Sequence, residues 1–187
     1  MTIYIALLRG INVGGKNIVK MVDLRQVFEA LGFCEVQTYI QSGNVLFKSN
    51  EEEEPLRKKI EHAIEVAFGF SVSVILRTVE DLGDIISNCP FSVEEILEAE
   101  SKSEGESLYV SLMLHAPTQE KIEGLKVYSS DSEKYRIEGR EVFLLFRNSI
   151  RNSQLANNLQ KLDVPATVRN WKTINKLFVL AKSMENS

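Results

Sequence analysis

Cysteine is nearly absent from this 187-residue chain: the two present, Cys34 and Cys89, form no C-x-x-C pair. That excludes a dithiol redox motif and a thiolate metal cage, and it fits a cytoplasmic protein whose thiols stay reduced. Cys34 follows the apolar Phe33 beside a predicted strand and reads as a buried thiol. Histidine is equally scarce. His62 falls in a predicted helix and His115 at a strand end, each unaccompanied. No Ser-His-Asp set, carboxylate pair or metal cluster assembles from spacing, so no catalytic residue is assigned and no metal or cofactor is expected. A basic excess is also missing, with 22 Lys and Arg against 26 Asp and Glu and a net charge of −4. Such a balance argues against a general nucleic-acid coat, whose affinity depends on many cation–phosphate contacts. No apolar run reaches transmembrane length, and Met1-Thr2-Ile3-Tyr4 has no basic region ahead of a long apolar stretch. Neither a membrane partner nor a leader segment is expected.

What the chain does have is a glycine cluster after its first strand. The run Ile3-Tyr4-Ile5-Ala6-Leu7-Leu8 enters the loop Arg9-Gly10-Ile11-Asn12-Val13-Gly14-Gly15-Lys16-Asn17. A helix leaves it, marked by Leu24, Val27, Phe28 and Leu31 at i, i+3, i+4 and i+7. Glycine accepts positive φ and lacks a Cβ, so neighbouring N–H groups can converge on an oxygen.

Strand and helix signals then alternate, and the alternation repeats. Strands are predicted over 3–8, 35–40, 44–48 and 72–77, with helices over 21–31 and 55–68. The acidic run 51–54 reads as a helix-start cap, opposing the dipole end, with Pro55 in the first turn. Thr78-Val79-Glu80-Asp81 and Ser92-Val93-Glu94-Glu95 are each a hydroxyl followed three residues later by a carboxylate, predicting two short helices around Asn88-Cys89-Pro90. The second half offers strands over 108–114, 134–138, 141–147 and 167–169, with helices over 118–125, 153–162 and 173–182. No repeat is visible residue by residue; the duplication rests on element order. The expected class is α/β (α+β). Two ferredoxin-like βαββαβ units with antiparallel sheets span 1–77 and 107–187, joined by a helical connector over 78–106, with a C-terminal helix at the end.

This topology places segments that are distant in sequence. The first and second strands of such a unit run the same way, so loop 9–17 should meet the hairpin Gln41-Ser42-Gly43-Asn44. In the second unit, Asn148 to Asn152 and Asn170-Trp171 should share the opposite end.

Three blocks resemble a known bacterial family. Y-I-A-L-L-R-G-I-N-V-G-G-K-N at 4–17, T-Y-I-Q-S-G-N-V-L-F at 38–47 and A-T-V-R-N-W-K-T-I-N-K-L at 166–177 are similar to the domain-of-unknown-function family numbered 1697. The resemblance implies a two-part α/β fold and no established activity. Where relatives tend to carry a glycine- and serine-rich turn before the penultimate helix, this chain has Arg147-Asn148-Ser149-Ile150-Arg151-Asn152-Ser153.

Two better-known readings fail on particular residues. Gly10-x-x-x-x-Gly15-Lys16-Asn17 approaches the P-loop pattern, but Asn17 replaces the hydroxyl that ligands Mg²⁺, and the helix signal begins near Met21 rather than at Lys16. An RNA-recognition fold requires alternating aromatics on its third strand, and Asn44-Val45-Leu46-Phe47 offers one. The expected function is binding of a small anionic ligand, a nucleotide or phosphorylated metabolite, between the units. Arg9, Lys16 and Arg169 would supply charge. Asn12, Gly14, Gly15, Asn17, Gln41, Ser42, Asn44, Asn170 and Trp171 would supply directional contacts. Single-stranded nucleic-acid binding and a purely structural or protein-interaction role are the alternatives. Gln41, Ser42 and Asn44 are also ordinary hairpin-turn types, and Trp171 serves equally as packing.

Overall fold

The computed structural model describes residues 1–185. Its first half runs β1 (Thr2–Leu8), α1 (Met21–Ala30), β2 (Cys34–Tyr39), β3 (Asn44–Ser49), α2 (Glu53–Phe68) and β4 (Val74–Thr78). Helices α3 (Val79–Ser87) and α4 (Val93–Lys102) follow. The second half runs β5 (Leu108–Met113), α5 (Gln119–Leu125), β6 (Glu133–Glu138), β7 (Glu141–Phe146), α6 (Gln154–Asn157) and β8 (Ala166–Asn170), before α7 (Trp171–Met184) closes the chain. The two four-stranded sheets have orders β2-β3-β1-β4 and β6-β7-β5-β8, and every pairing is antiparallel. This is the duplicated ferredoxin-like architecture predicted from element order.

Helical spacing explains the first core. Leu24 and Phe28 of α1, with Leu56, Ile60 and Ile64 of α2, are fully buried against Tyr4, Ala6, Val45, Phe47 and Leu76 of the sheet. Phe28, Phe33 and Phe47 fill the space between α1 and the β2–β3 side, with ring centroids 4.6–6.0 Å apart. Aromatic pairs at these separations add attraction beyond the area they bury. The other sheet face is withdrawn from solvent as well, since Ile5, Leu7, Leu46 and Ile75 are all buried.

Both helix-start boxes form. Thr78 Oγ1 accepts from Asp81 N–H at 3.1 Å, and the Asp81 carboxylate accepts from Thr78 N–H at 2.8 Å. Ser92 and Glu95 repeat the exchange at 3.1 and 3.0 Å.

Three expectations need correction. The helix predicted over 153–162 is the four-residue α6 flanked by 3-10 turns at Ile150–Asn152 and Leu159–Leu162. It breaks at Asn158, whose φ of −108° and ψ of 3° leave the helical region. Asparagine competes with its own backbone for hydrogen bonds, and two stand together at 157–158. Cys34, read as buried, is exposed. It lies on the outer strand β2, where the register slips between Cys34 and Gln37 and Glu35 takes a φ of +52°. The linear division into unit, connector and unit also differs. The chain clusters as residues 1–84 together with Asn175 onward, and as Ile85–Ile174. In the first unit a Cβ on Gly83 of α3 would stand 3.3 Å from the Phe178 ring of α7. In the second, Glu95 and Glu98 of α4 pair with Lys134 and Arg147 at 3.2 and 3.0 Å.

A repeat at residue level emerges once the registers are aligned. Tyr4 faces Phe47 and Thr78 across β1, as Tyr109 faces Leu144 and Asn170 across β5. Y-I-A-L-L at 4–8 is therefore equivalent to Y-V-S-L-M at 109–113, and L-R-T at 76–78 to V-R-N at 168–170. Backbone bonds at the strand ends repeat too. Leu8 N–H reaches Gly43 C=O and Arg9 N–H reaches Ser73 C=O; Met113 N–H reaches Arg140 C=O and Leu114 N–H reaches Pro165 C=O, all at 2.8–3.0 Å. Arg77 and Arg169, equivalent by register, are both buried.

Candidate functional site

The glycine loop is rigid because its polar side chains are spent on its own backbone. Gly14 and Gly15 have φ of +59° and +72°, and Lys16 N–H donates to Val13 C=O at 3.1 Å. Two consecutive positive φ values are what a type I′ turn requires, and glycine adopts them without steric cost. Below the turn, Asn12 N–H donates to Asn17 C=O at 3.1 Å, and Asn17 Nδ2 donates to Gly10 C=O at 3.1 Å. The Asn12 side chain is the tie. Its Nδ2 donates to Val19 C=O at 2.9 Å and to Gln41 C=O at 2.8 Å, while Oδ1 accepts from Val19 N–H at 2.8 Å.

Loop and hairpin therefore meet, as strand direction predicted. Gly43 lies in the seam with a φ of +81°, and a Cβ there would stand 2.6 Å from Ile11 Cδ1 and 2.9 Å from Leu8 Cβ. Asn44, fully buried, donates through Nδ2 to Tyr39 C=O at 2.9 Å and to Ser42 Oγ at 3.0 Å. Between them Ile40 takes a φ of +49°, a conformation that strains a β-branched residue. Of the residues expected to bind, Asn12, Asn17 and Asn44 have their amides engaged inside this frame. Gly14, Gly15 and Lys16 form its exposed tip, with Arg9 exposed at its base.

The electrostatics of the tip differ from the rest of the first unit. Lys48, Lys58 and Lys59 are each paired with a glutamate at 2.6–2.7 Å. Arg9, Lys16 and Lys20 are exposed, and among the described residues none of the three is in an ion pair. Lys20 was not singled out from the sequence; its position just before α1, on the same connection, is the signal that marks it. The connection also exposes apolar side chains, with Val13, Ile18 and Val22 at 66, 63 and 67%.

Arg169, Asn170 and Trp171 stand in the second unit. Arg169 is buried, and its Nη1 donates to Thr167 Oγ1 at 2.7 Å and to Val168 C=O at 3.0 Å. Burial pulls its pKa down to about 10, since desolvation disfavours the charged form. Asn170 Oδ1 accepts from Thr173 N–H at 2.8 Å and so caps α7. Trp171 is half-buried with its ring centroid 6.4 Å from that of Phe143.

Two chemistries can be judged on this geometry. Helix α1 starts at Met21, and the N–H of Lys16 is turned into the Val13 turn, so no helix N-terminus receives a phosphate from this loop in the P-loop manner. Phe47 and Tyr4 stack on each other in the core, 5.9 Å apart, so neither is presented to a nucleotide base. Among the described residues no three His, Cys, Asp or Glu side chains gather as a metal cage, and no helix is long and apolar enough to cross a membrane.

No curated protein sequence matches this chain. The solved structure of a conserved bacterial protein from Streptococcus pneumoniae is similar to it at 29% identity, covering 96% of this chain and 98% of that one, with a TM-score of 0.72. The profile of the family described as "Protein of unknown function (DUF1697)" matches residues 1–143, and the chain belongs to that family.

Proposed function

We propose that the first unit binds a small anionic ligand, a nucleotide or phosphorylated metabolite, at the tip of the glycine loop. The carrying observation is three exposed cations without an acid partner, Arg9, Lys16 and Lys20, on one connection of a net-acidic protein. Mobile cations gain little from an anion because fixing them costs conformational entropy. Here the backbone is already held by Asn12 and Asn17, so less ordering remains to be done on binding. Gly14 and Gly15 allow close approach of a phosphate, and Val13 and Ile18 offer apolar contact to its organic part. Arg169 is left out of this reading because its guanidinium serves its own strand.

The test is a thermal-shift titration with ATP, ribose 5-phosphate and inorganic phosphate. A ligand at a hundred times its Kd should stabilise by about 2.7 kcal/mol. Arg9→Ala and Lys16→Ala should each weaken binding by roughly 1.5–3 kcal/mol, the worth of a charged hydrogen bond. Binding that survives both substitutions would sink the proposal. A protein partner is the second reading, favoured by the exposed Val13, Ile18 and Val22. A Val13→Ser, Ile18→Ser double variant separates the two, because phosphate-driven affinity survives it and apolar docking does not.

A further inference from the structure

The duplicated units invite a comparison of what each puts between its first helix and its outer strand. In the first unit, α1 packs closely on β2, and the rings of Phe28, Phe33 and Phe47 close the gap. The corner beside the hairpin is filled by Ile11, which is buried against the Gly43 seam.

The second unit leaves the corresponding space open. Its connection from β5 to α5 is only residues 114–118, against 9–20 in the first unit. By register Met113 is equivalent to Leu8, so Ala116 holds the place of Ile11, and Leu144 holds the place of Phe47. Helix α5 leans on the 3-10 turn Leu159–Leu162 and stands off β6. The result is a groove of about 520 Å³ running from Ala116 and Gly139 to Ser129, entirely within the second unit. Ligand pockets typically occupy about 300–1,000 Å³ and are mostly apolar with a few polar groups.

We infer that this groove is a second ligand site, one that takes a small amphipathic anion with a flat apolar body. Ile122, Tyr135 and Ile137, each partly buried, form an apolar floor long enough for a bicyclic ring. The charged residues lining the groove, Lys126 and Arg136, are both cations. Lys126 meets Glu123 at 2.6 Å, but that pair is exposed and costs little to share with a ligand. Arg136 lies over the Phe91 ring at 5.6 Å and donates to Tyr135 C=O, which assigns the direct anion contact to Lys126. Gln119 and Ser129 supply the remaining polar edge.

The experiment uses the full chain labelled with ¹⁵N and three probes of one shape: indole-3-acetate, indole and tryptamine. Indole-3-acetate should shift the amides of Ile122, Lys126, Tyr135 and Ile137 saturably, indole more weakly, and tryptamine least. Lys126→Gln should cost about tenfold in affinity for indole-3-acetate, a charged hydrogen bond's worth, and leave indole unchanged. Ala116→Ile, which installs the residue the first unit carries at this place, should abolish binding of all three while the thermal midpoint holds. Ser129→Phe fills the groove from its other end and serves if Ala116→Ile fails to fold. Tryptamine binding as tightly as indole-3-acetate would overturn the anion preference. No saturable shift at the groove, or undiminished binding in the filled variant, would overturn the site itself. Shifts confined to residues 9–20 would place the anion at the glycine loop and remove the groove from consideration.

Discussion

At the residue scale, the seam between loop and hairpin depends on the absence of one methyl group. Gly43 is held at a φ of +81°, with Ile11 Cδ1 where a Cβ would point. Gly43→Ala should destabilise the protein by roughly 2–4 kcal/mol, combining the left-handed backbone cost with overpacking. Urea unfolding monitored by circular dichroism measures it, and a loss under 0.5 kcal/mol would mean that Ile11 moves aside freely. Asparagine illustrates what residue types alone do not disclose. Asn12 was legible in the sequence as a polar residue in a glycine-rich loop, which suits a ligand donor and a backbone tie equally. Only the positions of Val19 and Gln41 decide between them, and those are set by tertiary structure. Cys34 was misread for a similar reason. A bulge at Glu35 turns it outward, and no local pattern announces a bulge.

At the element scale, the features with a short-range physical cause were the ones readable in advance. Both capping boxes needed only a hydroxyl and a carboxylate three residues apart, and both formed. The failed helix over 153–162 had apolar spacing in its favour but little packing length, and the Asn157-Asn158 pair ended it after one turn. The α4 box carries a pH signature. The Glu95 carboxylate is held below the ordinary glutamate pKa, first by the Ser92 N–H and next by Lys134. A depressed carboxylate contributes its stabilisation above the unfolded pKa and loses it as pH falls through the folded value. Carbon-detected NMR titration should therefore place the Glu95 midpoint below about 4.3, the reference for a free glutamate, and Lys134→Gln should raise it. An unshifted midpoint would show that the box opens in solution.

At the scale of the whole molecule, the order of elements was enough to predict two antiparallel sheets, but not how the chain divides between them. The first unit is discontinuous, because the stretch from Asn175 clusters with residues 1–84. Leu177 and Ala181 on that stretch are fully buried. Leu177→Ala should cost about 2–5 kcal/mol, the range for emptying a well-packed leucine site. Hydrogen exchange should report the loss in β1 and β3 ahead of β5 and β7. Equal loss in both sheets would mean that the two units unfold as one. The residue-level repeat escaped the sequence for a related reason. Its matching blocks are about five residues long and separated by connections of unequal length, so they align only through the strand registers.

Those registers carry an evolutionary consequence. The bonds from Leu8 to Gly43 and from Met113 to Arg140 close the same strand end, although residues 9–20 follow one and residues 114–118 the other. A scaffold that closes identically over a long connection and a short one does not need either to fold. The glycine loop is then cargo on an inherited chassis. After duplication one copy kept the housekeeping geometry of a short link while its twin was free to elaborate, and this end of each half is where descendants of the chain should differ first.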